Sequence, residues 1–115
     1  MKAKEYFKIY GPEINSCMVQ GDTEGATRAI IDMTDHMHED MTLDHQEAVE
    51  AFEGDEAAKL EFAQKKYVKV LRSYNQKWNT IRSMMRKEFG QPFIKFDGFV
   101  TTVLSYLNKM KEAEG

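Results

Sequence analysis

Residues 56–89 read EAAKLEFAQKKYVKVLRSYNQKWNTIRSMMRKEF, an unbroken run without glycine or proline. Within it Leu60, Tyr67, Leu71, Tyr74, Trp78, Ile81, Met85 and Phe89 recur, and from Tyr67 onward the steps are 4, 3, 4, 3, 4 and 4. Such spacing places these side chains on one stripe of an α-helix, close to the seam of a coiled coil. Asp55 precedes the run and Gly90-Gln91-Pro92 stops it. At 1.5 Å per residue the helix is about 50 Å long. A compact chain of this size has a radius of gyration of only about 13 Å. The helix must therefore protrude, bend or find a partner chain, and a homodimer is expected. Tyr67, Leu71, Tyr74, Trp78, Ile81 and Met85 are its packing and dimer seam.

Upstream, Ala26, Ile30, Met33, Met37 and Met41 also recur at helical spacing, and Ala48 and Phe52 return to the same face beyond a polar gap at Asp44. Asp44 and Glu47 are spaced like a capping box, which predicts a break there. Gly54-Asp55 closes the segment, so the acidic helix over 22–56 and the basic helix over 59–87 form a long antiparallel hairpin. Before it, residues 2–10 suggest a short first helix that Gly11-Pro12 interrupts. A second piece runs to Gln20, with Gly21 as its C-cap and Asp22 or Thr23 as the next N-cap. After it, Phe93-Ile94-Lys95-Phe96 reads as a connector. Asp97 reads as the N-cap of a last helix that turns Phe99, Val100, Val103, Leu104, Leu107 and Met110 inward. The expected fold is all-α: a single helical domain over 1–115, a bundle of four to five helices built on the hairpin.

The charge is divided sharply between the arms of that hairpin. From Asp22 to Glu56 there are twelve acids and one base, Arg28, for a net −11; from Lys59 to Lys87 there are nine bases against Glu61, for +8. Mutual compensation is the simplest account of adjacent helices of opposite sign. With 42% apolar and 30% charged residues and two prolines, the 115-residue chain belongs to the ordered globular class. Cys17 is the one cysteine, so no internal disulfide forms, and the N-terminus lacks the apolar core of a signal peptide. No stretch has the roughly 20 apolar residues needed to cross a bilayer. A cytoplasmic location without membrane contact is expected.

Three residue sets have a spacing that chemistry uses. Asp32, His36 and Asp40 stand at i, i+4 and i+8, a geometry that grips a metal ion through one helix. Opposite the methionine face, however, they lie in solvent. Glu47 and Glu50 resemble the paired acids of helical magnesium-dependent nucleotide hydrolases, yet the following helix offers bases where a second acidic pair is needed. Lys65, Lys69 and Arg72, with Arg86 further along, form a basic stripe able to neutralise phosphates of a nucleic acid. There is no glycine-rich phosphate loop, zinc pattern or nucleophile elbow, and Cys17 has no local cationic activator. These absences lead to the expectation of a protein that is not an enzyme and needs no cofactor.

Tyr74-Asn75-Gln76-Lys77-Trp78-Asn79-Thr80-Ile81, followed by Ile94-Lys95-Phe96-Asp97-Gly98-Phe99, resembles small uncharacterised proteins of bacteriophages and prophages in Gram-positive bacteria. The likeness spans residues 70–106. It implies a small phage-type protein with no established activity; the working expectation is a binding protein that acts by helical surfaces on a host or phage protein. The alternatives carried forward are a nucleic-acid binder using helix 59–87 and a metal-dependent enzyme using helix 22–56.

Overall fold

A computed structural model describes residues 1–98. Three helices, α1 (Ala3–Val19), α2 (Thr23–Ala51) and α3 (Glu56–Phe89), are followed by a further helical segment over 91–98, and the described residues contain no strand. The expected all-α bundle is thus the fold observed. The expected inward face of Phe99, Val100, Val103, Leu104, Leu107 and Met110 lies outside the described residues. The helix boundaries follow from local chemistry. Asp22 and Asp55 each accept a hydrogen bond from the backbone N–H three residues on, at 2.9 and 2.8 Å, and so start α2 and α3. Past the end of α1, Gly21 N–H donates to the Met18 carbonyl and Asp22 N–H to the Cys17 carbonyl. This is a Schellman closure, and it needs the positive φ of 74° that glycine adopts without strain. Gly90, at φ 71°, ends α3, its N–H donating to the Arg86 carbonyl.

α2 and α3 pair antiparallel. Nearest the connecting loop the Phe52 and Phe62 rings stack at 4.5 Å, and further along His45 meets Tyr67. The core gathers Ala26, Ala29, Ile30, Met33 and Met37 from α2 and Ile81 and Met85 from α3. Tyr6 and Ile14 join from α1, and Phe93 and Phe96 from segment 91–98. The methionine stripe read from sequence is buried from Met33 to Met41, where flexible thioethers fill an irregular gap. The molecule measures 55 × 32 × 17 Å with a radius of gyration of 16.7 Å, larger than a compact chain of this length requires. The long hairpin therefore protrudes.

Three expectations are corrected. Gly11-Pro12 does not interrupt α1, which runs through both residues. Proline in a helix interior costs about 3 kcal/mol, whereas burying one large apolar side chain contributes about 1.5–3 kcal/mol. Tyr6 and Ile14, on either side, are both fully buried on the same face. Gly11 also leaves room for the Phe7 ring, which lies 3.4 Å from where a Cβ would stand. Nor does α2 break at Asp44. No proline or glycine stops it there, and Asp44 lies at the lip of a cleft, not in the core. Finally, Asp97 does not open a new helix. It sits inside segment 91–98, is 3% exposed, and receives both Arg82 and Arg86.

Candidate interaction surfaces

The seam of α3 has two different fates. Ile81 and Met85 are completely buried, and Tyr74 and Trp78 are half-buried against the core. Toward the loop, Leu60 is 63% exposed, Tyr67 50%, Val68 47% and Leu71 37%. Tyr67 and Leu71, placed in the seam with the other four, are thus not core. The reason lies in α1. Along α2, Tyr6 of α1 reaches a cleft that it shares with Met41 and Asp44. Beyond it, among the described residues, the hairpin has two helices where the body has more. Besides the Phe52–Phe62 stack, His45 joins the arms there: its Nε2–H donates to the Ala63 carbonyl at 2.8 Å, and its ring meets Tyr67 edge-on at 5.9 Å. That bond fixes the tautomer.

The basic stripe divides as well. Lys65, Lys69 and Arg72 are exposed, and Lys65 pairs with Glu61 at 2.9 Å one turn back on its own helix. Arg86 is committed elsewhere, because its guanidinium donates to Asp97. Arg82 binds the same carboxylate in bidentate fashion, Nε to Oδ1 and Nη2 to Oδ2, both at 2.9 Å. Burial alone would raise the Asp97 carboxyl, but the hydrogen bonds and charges of the two arginines outweigh it and hold the group below the usual carboxylate range. Arg86 is therefore a structural partner and no part of a phosphate-binding row.

Direct compensation between the arms does not occur among the described residues. The ion pairs of α2 and α3 join neighbours within one helix or reach Asp97, and none links α2 to α3. Instead Asp44 and Glu47 face Lys66 and Lys69 across an open cleft of about 480 Å³ floored by Ala48 and Val70. The acids of α2 remain largely on its outer surface, with Asp32, Asp35, Glu39, Glu47 and Glu50 all exposed.

Asp32, His36 and Asp40 do not converge as a metal site. His36 and Asp40 do not face open solvent but α1. The Tyr10 hydroxyl lies 2.9 Å from His36 Nδ1, His36 Nε2 lies 3.6 Å from Asp40 Oδ2, and the Tyr6 hydroxyl donates to Asp40. Both tyrosine rings meet the imidazole edge-on, at 5.4 and 5.9 Å. Asp32 remains exposed, and no three His, Cys, Asp or Glu side chains among the described residues are grouped to hold a metal ion. The arrangement fastens α1 to α2. Desolvation, then the bond to Asp40, pushes the Tyr6 hydroxyl well above its ordinary pKa, so it stays a donor. Tyr6 and Tyr10, one turn apart, repeat the spacing of their partners, and this was the signal that a reading confined to α2 missed.

Cys17 is half-buried, and desolvation, Asp22 and Glu13 raise its thiol pKa. That is opposite to the shift that activates a nucleophile. No helix among the described residues is long and apolar enough to cross a membrane. The chain matches no known protein family, curated protein or solved structure.

Proposed function

We propose that the protein is a non-catalytic binding protein that holds another polypeptide on the distal part of its hairpin. One observation carries this reading: Leu60, Tyr67, Val68 and Leu71 stand exposed together on a helix whose continuation is core. Large apolar side chains grouped on a surface mark interaction sites, and a seam with heptad character fits an opposing helix. The likeness of residues 70–106 to phage and prophage proteins supports a phage or host protein as the class of partner, met in the cytoplasm. The test replaces Leu71 by glutamate and, as a control, Ile9, an exposed apolar residue on α1 (54%). Partner capture is lost with Leu71→Glu and kept with Ile9→Glu; equal capture by both variants refutes the reading.

A second reading has its own observation, the exposure of Lys65, Lys69 and Arg72. With Arg86 withdrawn, three cations remain to contact phosphates, so binding would be weak and salt-sensitive. A mobility shift that collapses between about 50 and 200 mM salt supports nucleic-acid binding. No shift at low salt removes it.

A further inference from the structure

The bare part of the α3 seam carries a pattern that specifies more than an apolar surface. Counting by heptad, its seam positions are Leu60, Gln64, Tyr67 and Leu71, which fall within about 60° of one another around the helix. Read in either direction this is leucine, two residues with polar ends, then leucine. When a second α3 is laid antiparallel across it, Leu60 of each copy faces Leu71 of the other, and Gln64 of each faces Tyr67 of the other. Both pairings fall in one register, because the two residue-number sums are identical. That register matches seam positions of alternate type, as antiparallel coiled coils require. A two-fold axis through the stripe satisfies all four contacts at once.

The flanks agree with it. Glu61 and Val68 border the stripe on the side away from α2, with Arg72 beside them. In the same register Glu61 of one copy lies within about 3 Å, along the helix axis, of the level of Arg72 of the other. Glu61 already attracts one cation, Lys65, which draws its carboxyl pKa down by hydrogen bonding and charge. A second cation would extend that pairing and not compete with it. Of the α2 acids, Asp44 and Glu47 face Lys66 and Lys69 across the cleft, next to cations of α3. The polar Gln64 at a seam position fixes register, as a single polar seam residue does in coiled coils.

We infer that the occupant of this stripe is a second copy of the chain, joined through antiparallel contact of the two α3 helices centred between Gln64 and Tyr67. The inference rests on reading the distal stripe as a protein-binding surface and names the partner. Such a dimer extends the bundle beyond α1 by using the second copy to cover what α1 leaves bare.

Sedimentation equilibrium of the full chain, from micromolar to millimolar, tests it. The wild type forms a dimer, and the double variant Leu60→Glu/Leu71→Glu is monomeric with unchanged helical circular dichroism. Glu61→Arg and Arg72→Glu each weaken the dimer about 3–10-fold, and the combined exchange restores it. A wild type that stays monomeric at millimolar concentration overturns the inference. So does a dimer indifferent to Leu60→Glu/Leu71→Glu, or a combined exchange no tighter than either single one. A photo-crosslinking residue in place of Val68 separates this failure from that of the broader reading. Crosslinking of the pure protein to itself, in pairs, supports the second copy. Crosslinks formed in lysate only to a different polypeptide overturn the second copy and leave the binding reading standing. No crosslink to any protein overturns both.

Discussion

From Tyr74 to Phe89 and from Leu60 to Leu71, α3 carries one continuous repeat, yet the first stretch is enclosed and the second stands in solvent. Propensity and spacing do not distinguish them. The difference is in what lies across from each: α1 and segment 91–98 supply Tyr6, Ile14, Phe93 and Phe96 to one, and among the described residues the other has only the far end of α2. A helix of this length outgrows the core that a chain of 115 residues can assemble around it. Periodicity states which side chains share a face. It is silent on whether anything covers that face.

The comparison is sharpest where the two stretches are cut equally. Ile81→Ala in the enclosed part opens a cavity in a fully buried site and costs about 2–5 kcal/mol in chemical denaturation. An outcome below 1 kcal/mol would mean that the body is as loose as the tip. Next in size is Asp97→Ala, which removes the buried carboxylate that Arg82 and Arg86 share and costs about 2–4 kcal/mol. Its pH signature has a definite sign. The folded-state pKa of Asp97 lies below its unfolded value, so its contribution is complete above the ordinary carboxylate pKa of about 3.9. It is lost as pH falls through the lower folded value. Thermal melts from neutral to acid pH should show that component in the wild type and not in Asp97→Asn.

Tyr6→Phe tests where the enclosed part ends, by removing the hydroxyl that ties α1 to Asp40. The expected cost is about 1–2 kcal/mol in denaturant. The folded-state pKa of Tyr6 is raised, so in the wild type its contribution holds below about pH 10 and is lost as pH rises further. Tyr6→Phe lacks that alkaline step. Smallest is Leu60→Ala in the bare part, within about 0.5 kcal/mol at concentrations too low for association. Amide hydrogen exchange provides the companion measurement. Amides of α3 before Leu71 exchange through local opening, and those around Ile81 exchange only near the global limit. Uniform protection along α3 would erase the distinction between its halves.

The α3 boundaries, the cap at Asp22, the turn at Gly90 and the methionine core were legible because each depends on residues within one or two turns of itself. The breaks expected at Pro12 and Asp44 were not correct: burial on either side outweighed the first, and no proline or glycine enforces the second. Asp97 misled for a related reason. An aspartate ahead of an apolar run has the form of an N-cap, and only Arg82 and Arg86, more than ten positions away, show that it is a buried counter-ion. The candidate surface was half legible. Its residues were on the page as a seam, while their exposure depended on where α1 ends.

The two arginines on one acid have a consequence for how the sequence tolerates change. If either Arg82 or Arg86 is lost, one acid still faces one base and the local charge is balanced. If Asp97 is lost, two like charges remain a single turn apart, where they repel. The cluster is thus redundant in its bases and irreplaceable in its acid. In a saturation scan, positions 82 and 86 each accept many residues, but not both together, whereas position 97 accepts almost none.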